Sequence, residues 1–218
     1  MRPELTFTPI DFAAWPRRET FCYFSKMAPT GYSLTVDLDA TDLYRTLKAA
    51  NCRLFPAYLW LVTRNLQRQE EFCLAERDGT LGRFNCLTPL YAAFHEDDKT
   101  FSDLWTAYDP DFETFYREWE RVVETHGDCH GIKGRPGQPP NFFCISCVPW
   151  LDYTGYSTHT MGEPALFPII TFGKYTEEVG RLTLPATVTI AHAASDGYHT
   201  SQLFRRLQEQ LDAFGGMM

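Results

Sequence analysis

The chain has 218 residues, 44% of them from the set AVILMFWYC and 22% charged, a balance that excludes wholesale disorder and fits one domain over 1–218 with a sizeable core. Twenty Lys and Arg stand against 28 Asp and Glu, a formal net charge of −8, so no nucleic-acid partner is expected, because phosphate binding needs clustered cations. Seven cysteines are scattered through the chain, an odd set without the spacing of a disulfide framework, and this points to reduced thiols and a cytoplasmic setting.

Residues 1–12 lack the apolar stretch of a signal peptide. The longest apolar runs, 57–62 and 165–170, fall far short of the roughly 20 residues needed to span a bilayer, so no membrane partner is expected. After an aromatic stretch at Phe21, Tyr23 and Phe24, the alternation of Tyr32, Leu34, Val36 and Leu38 predicts a strand over 32–38. Asp39 or Thr41 then caps a helix through Leu43 and Leu47, and a second helix is expected over 56–69 with Pro56 in its first turn. Strands over 72–76 and 81–84 flank Asp78-Gly79, a hairpin dipeptide, and further strands are expected over 90–95 and 100–108. Phe112, Phe115, Trp119, Val122 and Val123 give a helix over 111–125. Beyond a Gly/Pro-dense loop at 131–140, strands are expected over 142–148, 150–157, 166–172 and 181–192, then a last helix over 200–214. Helices and strands without regular βαβ alternation predict an α/β (α+β) fold, a mixed sheet with helices packed on it.

The segment Thr187 to His199 reads TVTIAHAASDGYH, and in strand register Val188, Ile190 and His192 share a face. A histidine ending such a row is more often a core residue bonded to a carbonyl. The following Asp196-Gly197 raises the functional reading, because a turn there ends the strand and exposes its tip. On spacing alone the two readings balance.

His192-Ala193-Ala194-Ser195-Asp196-Gly197 resembles the His-x-x-x-Asp-Gly hallmark of the chloramphenicol O-acetyltransferase family, a hexad that recurs in dihydrolipoyl acyltransferases. Flanking matches stand in the family's order: Trp15 to Phe21, Gly31 to Thr35, Phe94-His95-Glu96 with Thr100-Phe101-Ser102, Ile145 to Trp150, Pro168 to Thr171, and Lys174-Tyr175. The resemblance implies a two-layer sandwich of the coenzyme A-dependent acyltransferase type. It implies a homotrimer with sites between subunits, and acetyl transfer from acetyl-coenzyme A to a small-molecule hydroxyl, chloramphenicol first. It assigns His192 as the base, since imidazole titrates nearest neutral pH, and Ser146 as the hydroxyl facing the developing oxyanion.

By the same resemblance Thr171 acts near the reacting centre through water, and Asp196 pairs with Arg17, or with the adjacent Arg18, to hold the turn. Arg53 and Lys174 would meet the 3′-phosphate of coenzyme A, with Phe55 and Tyr175 packing on its adenine or pantetheine. Tyr23, Phe24 and Phe101 keep the aromatic character of the acceptor pocket. Thr158 and Ala191 depart from the family, which tends to have an apolar residue and a second histidine there. Taken singly, Ser146 and Thr171 read as ordinary strand residues and Arg53 and Lys174 as solvated charges. Cys144-x-x-Cys147 has no second pair at zinc spacing, so no metal is expected. Cys129-His130 finds no completing motif and His199 fits a cap. A related acyltransferase with another acceptor, or a silent protein that binds a small aromatic ligand, remain the alternatives.

Overall fold

In the computed structural model, which describes residues 4–158, 162 and 164–217, a first strand β1 (Phe7–Pro9) leads into a short helix α1 (Arg18–Cys22). A π-helical turn, Tyr23–Met27, follows directly. The chain then forms β2 (Gly31–Asp39), α2 (Thr41–Ala49) and α3 (Leu54–Leu66). Strands β3 (Leu74–Arg77) and β4 (Thr80–Phe84) form the expected hairpin, with Asp78 and Gly79 both at positive φ (50° and 74°), as a type I′ turn requires. Next come β5 (Thr88–Phe94), β6 (Phe101–Trp105), α4 (Phe112–His126) and β7 (Phe142–Val148). Then come β8 (Ile169–Gly173), β9 (Thr176–Glu178), β10 (Arg181–Ala191) and α5 (Gly197–Asp212), followed by a 3₁₀ turn, Phe214–Gly216.

The main sheet runs β2-β10-β8-β7-β5-β6, with β9 pairing β10 beside this path. β7 lies parallel to β5 and β8 while the other pairs are antiparallel, so the sheet is mixed. A second sheet, β1-β4-β3, stands apart, and its β1 escapes sequence analysis because three residues with a proline carry no alternation. Gly82 is required where these strands meet, since a Cβ there would lie 2.3 Å from the Phe7 ring.

One face of the main sheet carries the core. Val188, Ile190, Ile170, Phe172, Phe143 and Ile145 point into it from alternate positions. The spacing shows one apolar face for α3, yet the helix is buried on nearly all sides, Trp60 and Leu61 included, because α4, α5 and the sheet enclose it. Phe112, Phe115, Trp119 and Val122 of α4 are buried as expected, and the Asp111 carboxylate accepts the Thr114 N–H as its cap.

Three expectations need correction. Residues 150–157 form no strand: Pro149 ends β7, and the segment crosses over β8, where the Tyr153 hydroxyl donates to the Thr171 carbonyl at 2.7 Å. The last helix begins at Gly197 instead of 200, because Asp196 and His199 form a capping box that draws in another turn. Neither Asp39 nor Thr41 is the formal cap of α2, which is Ala40, although Asp39 Oδ1 accepts the Thr41 N–H and hydroxyl. Among the described residues no helix is long and apolar enough to cross a membrane. Of the N-terminal reading over 1–12, residues 1–3 lie outside the described set.

Candidate active site

Where β10 ends at Ala191, the His192 N–H is taken by the Thr30 carbonyl at 2.8 Å, so the chain turns away with the imidazole half-buried at the strand tip. The His192 ring stacks on Phe24 at 3.9 Å with an 11° interplanar angle, and Tyr32 meets it edge-on at 5.5 Å. Phe24 comes from the π-helical turn, whose extra residue per turn re-aims side chains. Tyr23 packs edge-on against Phe24 at 5.0 Å. The Tyr32 hydroxyl is anchored to Thr200 Oγ1 at 2.7 Å, and burial raises its pKa against the opposing effect of its hydrogen bonds to Ser195 and Thr200. His192 Nδ1 is buried without a hydrogen-bond partner.

Four residues on, Asp196 starts α5. Its Oδ1 accepts the Tyr198 N–H at 3.1 Å and its Oδ2 accepts from Arg17 Nη1 at 2.9 Å. The choice left open between two arginines is decided: Arg18 instead lies over the Phe12 ring at 5.8 Å. Burial raises the Asp196 pKa, but the Arg17 hydrogen bond and the charges of His199 and Arg17 outweigh it and hold the carboxyl below its ordinary 3.8. His199 caps as expected, with Nε2 at 3.3 Å from Glu71 Oε1.

Ser146 sits two strands away from β10, on the sheet face opposite the core. Its register neighbour in β8 is Thr171, whose neighbour in β10 is Thr187, whose neighbour in β2 is Thr35. In-register neighbours share a face, so four hydroxyl side chains form one row across four strands. Thr35 and Thr187 are joined at 2.8 Å, and Thr171 is fully covered. Thr35 and Thr187 escape sequence analysis as site residues; their signal is the alternation Ser-x-Thr at 33–35 and Thr-x-Thr at 187–189.

Beyond Ser146 opens an apolar cavity of about 710 Å³, lined among others by Phe55, Phe94, Phe101, Val148 and Trp150. Phe101 and Phe55 are thus brought beside Ser146, whereas His192 does not line this cavity. Tyr32 and Ala191, with Thr158, line a small hollow of about 70 Å³ in which neither His192 nor Phe24 takes part. Arg53 borders a third cavity, of about 480 Å³, with Lys48, Tyr44 and Tyr116. Tyr44 also contacts the ring of Tyr175 at 5.8 Å, next to the exposed Lys174. Burial pushes the Cys144 and Cys147 thiols up to about 11, which keeps them protonated at neutral pH.

Comparison with known proteins gives one consistent answer. The family model described as chloramphenicol acetyltransferase matches residues 5–208. A chloramphenicol acetyltransferase of Vibrio anguillarum is 34% identical over 211 residues, 96% of each chain, and one of Streptomyces acrimycini is 35% identical over 212 residues, also 96% of each. A solved structure named chloramphenicol acetyltransferase superposes with TM-score 0.82 at 24% identity, covering 94% of this chain and all of the other. A probable dihydrolipoamide acetyltransferase from Listeria monocytogenes shares the fold more distantly, at TM-score 0.62 and 13% identity over 94% of each chain.

Proposed function

Because the chain belongs to the chloramphenicol acetyltransferase family, we propose that it transfers the acetyl group of acetyl-coenzyme A to a hydroxyl of chloramphenicol, with His192 as the base. The observation that carries this reading is the family match over nearly the whole chain. The acceptor oxygen attacks the thioester carbonyl carbon while its proton passes to the His192 imidazole. The C–S bond then breaks, and the departing thiolate recovers that proton from His192. Charge that gathers on the carbonyl oxygen meets the Ser146 hydroxyl, a type of contact commonly worth about 3 to 4 kcal/mol.

Thr171, in register with Ser146, orients water at the same centre. Arg17 and Asp196 act one step back, holding the turn that carries His192. The Phe24 stack and the Tyr32 edge leave the imidazole little rotational freedom, which is what a base acting on a positioned hydroxyl needs. Phe101 and Tyr23 add apolar surface for an aromatic acceptor.

For acetyl-coenzyme A, the cavity beside Arg53 combines cations and aromatic rings, which suits a phosphate and an adenine. Lys174 and Tyr175 extend it past Tyr44, and Phe55 lines the route to Ser146. The separation of His192 from the Ser146 cavity within one chain supports a homotrimer in which one subunit brings the base to its neighbour's cavity. Exposed Phe94, Phe101, Trp150 and Leu151 supply apolar surface for such contact.

The test is thiol release from acetyl-coenzyme A with and without chloramphenicol. Release that depends on chloramphenicol and yields its acetyl ester is the expected result. Binding of chloramphenicol without release, or release only with a different hydroxyl acceptor, overturns the assignment.

A further inference from the structure

At the tip of the β5–β6 hairpin, two imidazoles and a carboxylate converge from parts of the sequence 35 residues apart. His95 and His130 stack at 4.1 Å with an 18° interplanar angle, and one ligand atom from each of His95, Asp97 and His130 lies within 4.8 Å of the others. His130 follows α4, so the fold alone brings it there.

The hydrogen bonds fix which nitrogens are free. The Ser102 hydroxyl gives its one proton to the Cys129 carbonyl at 2.6 Å, so at 2.7 Å from His95 Nε2 it accepts, and His95 carries its proton on Nε2. His130 Nδ1 lies 2.9 Å from Asp98 Oδ2. The Asp98 carboxylate already accepts the amide and hydroxyl of Thr100 on Oδ1, so its Oδ2 accepts as well and His130 Nδ1 donates. In the neutral rings this leaves His95 Nδ1 and His130 Nε2 as lone pairs. Each ring has its other nitrogen tied to an oxygen acceptor, the arrangement that orients metal-bound histidines. His130 Nε2 stands 3.4 Å from Asp97 Oδ2. Two ligands on a tetrahedral zinc ion, each about 2.0 to 2.2 Å from it, stand about 3.4 Å apart.

We propose that His95, Asp97 and His130 form a binding site for a divalent zinc-class ion, with water as the fourth ligand. His95, buried and held through Ser102, is the fixed ligand; His130 and Asp97 are exposed enough to close on the ion by tilting. The ion would clip the tip of the β5–β6 hairpin to the segment after α4, steadying Phe94 and Phe101 at the two ends of that tip. Nothing in this reading depends on the acetyl-transfer assignment.

The experiment titrates metal-stripped full-length protein with Zn²⁺ by calorimetry and with Co²⁺ by visible absorption. One ion per chain is expected, with d–d bands of nitrogen and oxygen ligation and no thiolate charge-transfer band. Asp97→Ala and His130→Ala, both at exposed positions, are expected to weaken binding by at least about tenfold while keeping the melting midpoint of the metal-free protein. Binding that survives both substitutions, a thiolate band pointing to Cys129 or another cysteine, or no binding at all overturns the site.

Discussion

Around His192 the polar neighbours are paired, Arg17 with Asp196, and His199 with Asp196 and Glu71. The cavity beside Ser146 is lined mostly by rings and aliphatic groups, with Glu96 as its one charged residue. The first region is built to hold a side chain still: a strand end, a π-helical turn and a helix cap converge on one imidazole. The second is an apolar wall, which removes water and strengthens any hydrogen bond made within it. The contrast teaches that, under the proposed function, positioning and reception would be separate tasks carried by separate regions of this chain.

The sharpest way to break that comparison is to damage each region in a different subunit. Ser146→Ala alone should lower turnover by about 10²- to 10³-fold with little change in acceptor affinity. If sites form between subunits, refolding Ser146→Ala together with His192→Ala restores part of the activity that neither variant shows alone. No restoration would place both residues in a site made by a single chain.

A smaller effect separates the two arginines. Arg17→Ala removes a partly buried partner of Asp196 and should cost about 1 to 3 kcal/mol of stability together with a fall in turnover; Arg18→Ala should leave both nearly unchanged. Urea unfolding and steady-state rates on the two variants decide this, and equal effects would contradict the Arg17 assignment. The smallest effect is in acid. Because the Asp196 pKa is depressed, its ionised form contributes stability that is complete above the ordinary 3.8 and is lost as pH falls through the lower folded-state value. Asp196→Asn should therefore flatten the acid limb of the stability curve below about pH 4, and an unaltered limb would contradict the pairing.

Much of this was legible in the sequence where periodicity is strong. The strand over 142–148 has the bounds read from its residues, and the α4 stripe follows from spacing. Over 150–157 the aromatic residues mimic a strand, but nothing in the sequence shows that Pro149 turns the chain off the sheet. The hydroxyl row is a product of register, which depends on strand order and is not written in any one strand. His130 was visible only as a residue without a motif, since its partners at 95 and 97 become neighbours through the path of α4. In the six residues from His192 to Gly197 the strand end and turn were readable from spacing, while the functional reading came from the family resemblance.

The measurement that tests the account most directly is the rate of acetyl transfer to chloramphenicol by His192→Ala beside the native protein. Removal of a general base predicts a fall of at least about a hundredfold with the fold intact by circular dichroism, and a native rate that declines as the medium acidifies. A variant retaining a rate within a few-fold of native, or a native rate flat between mildly acidic and neutral pH, would contradict His192 as the group that takes the proton.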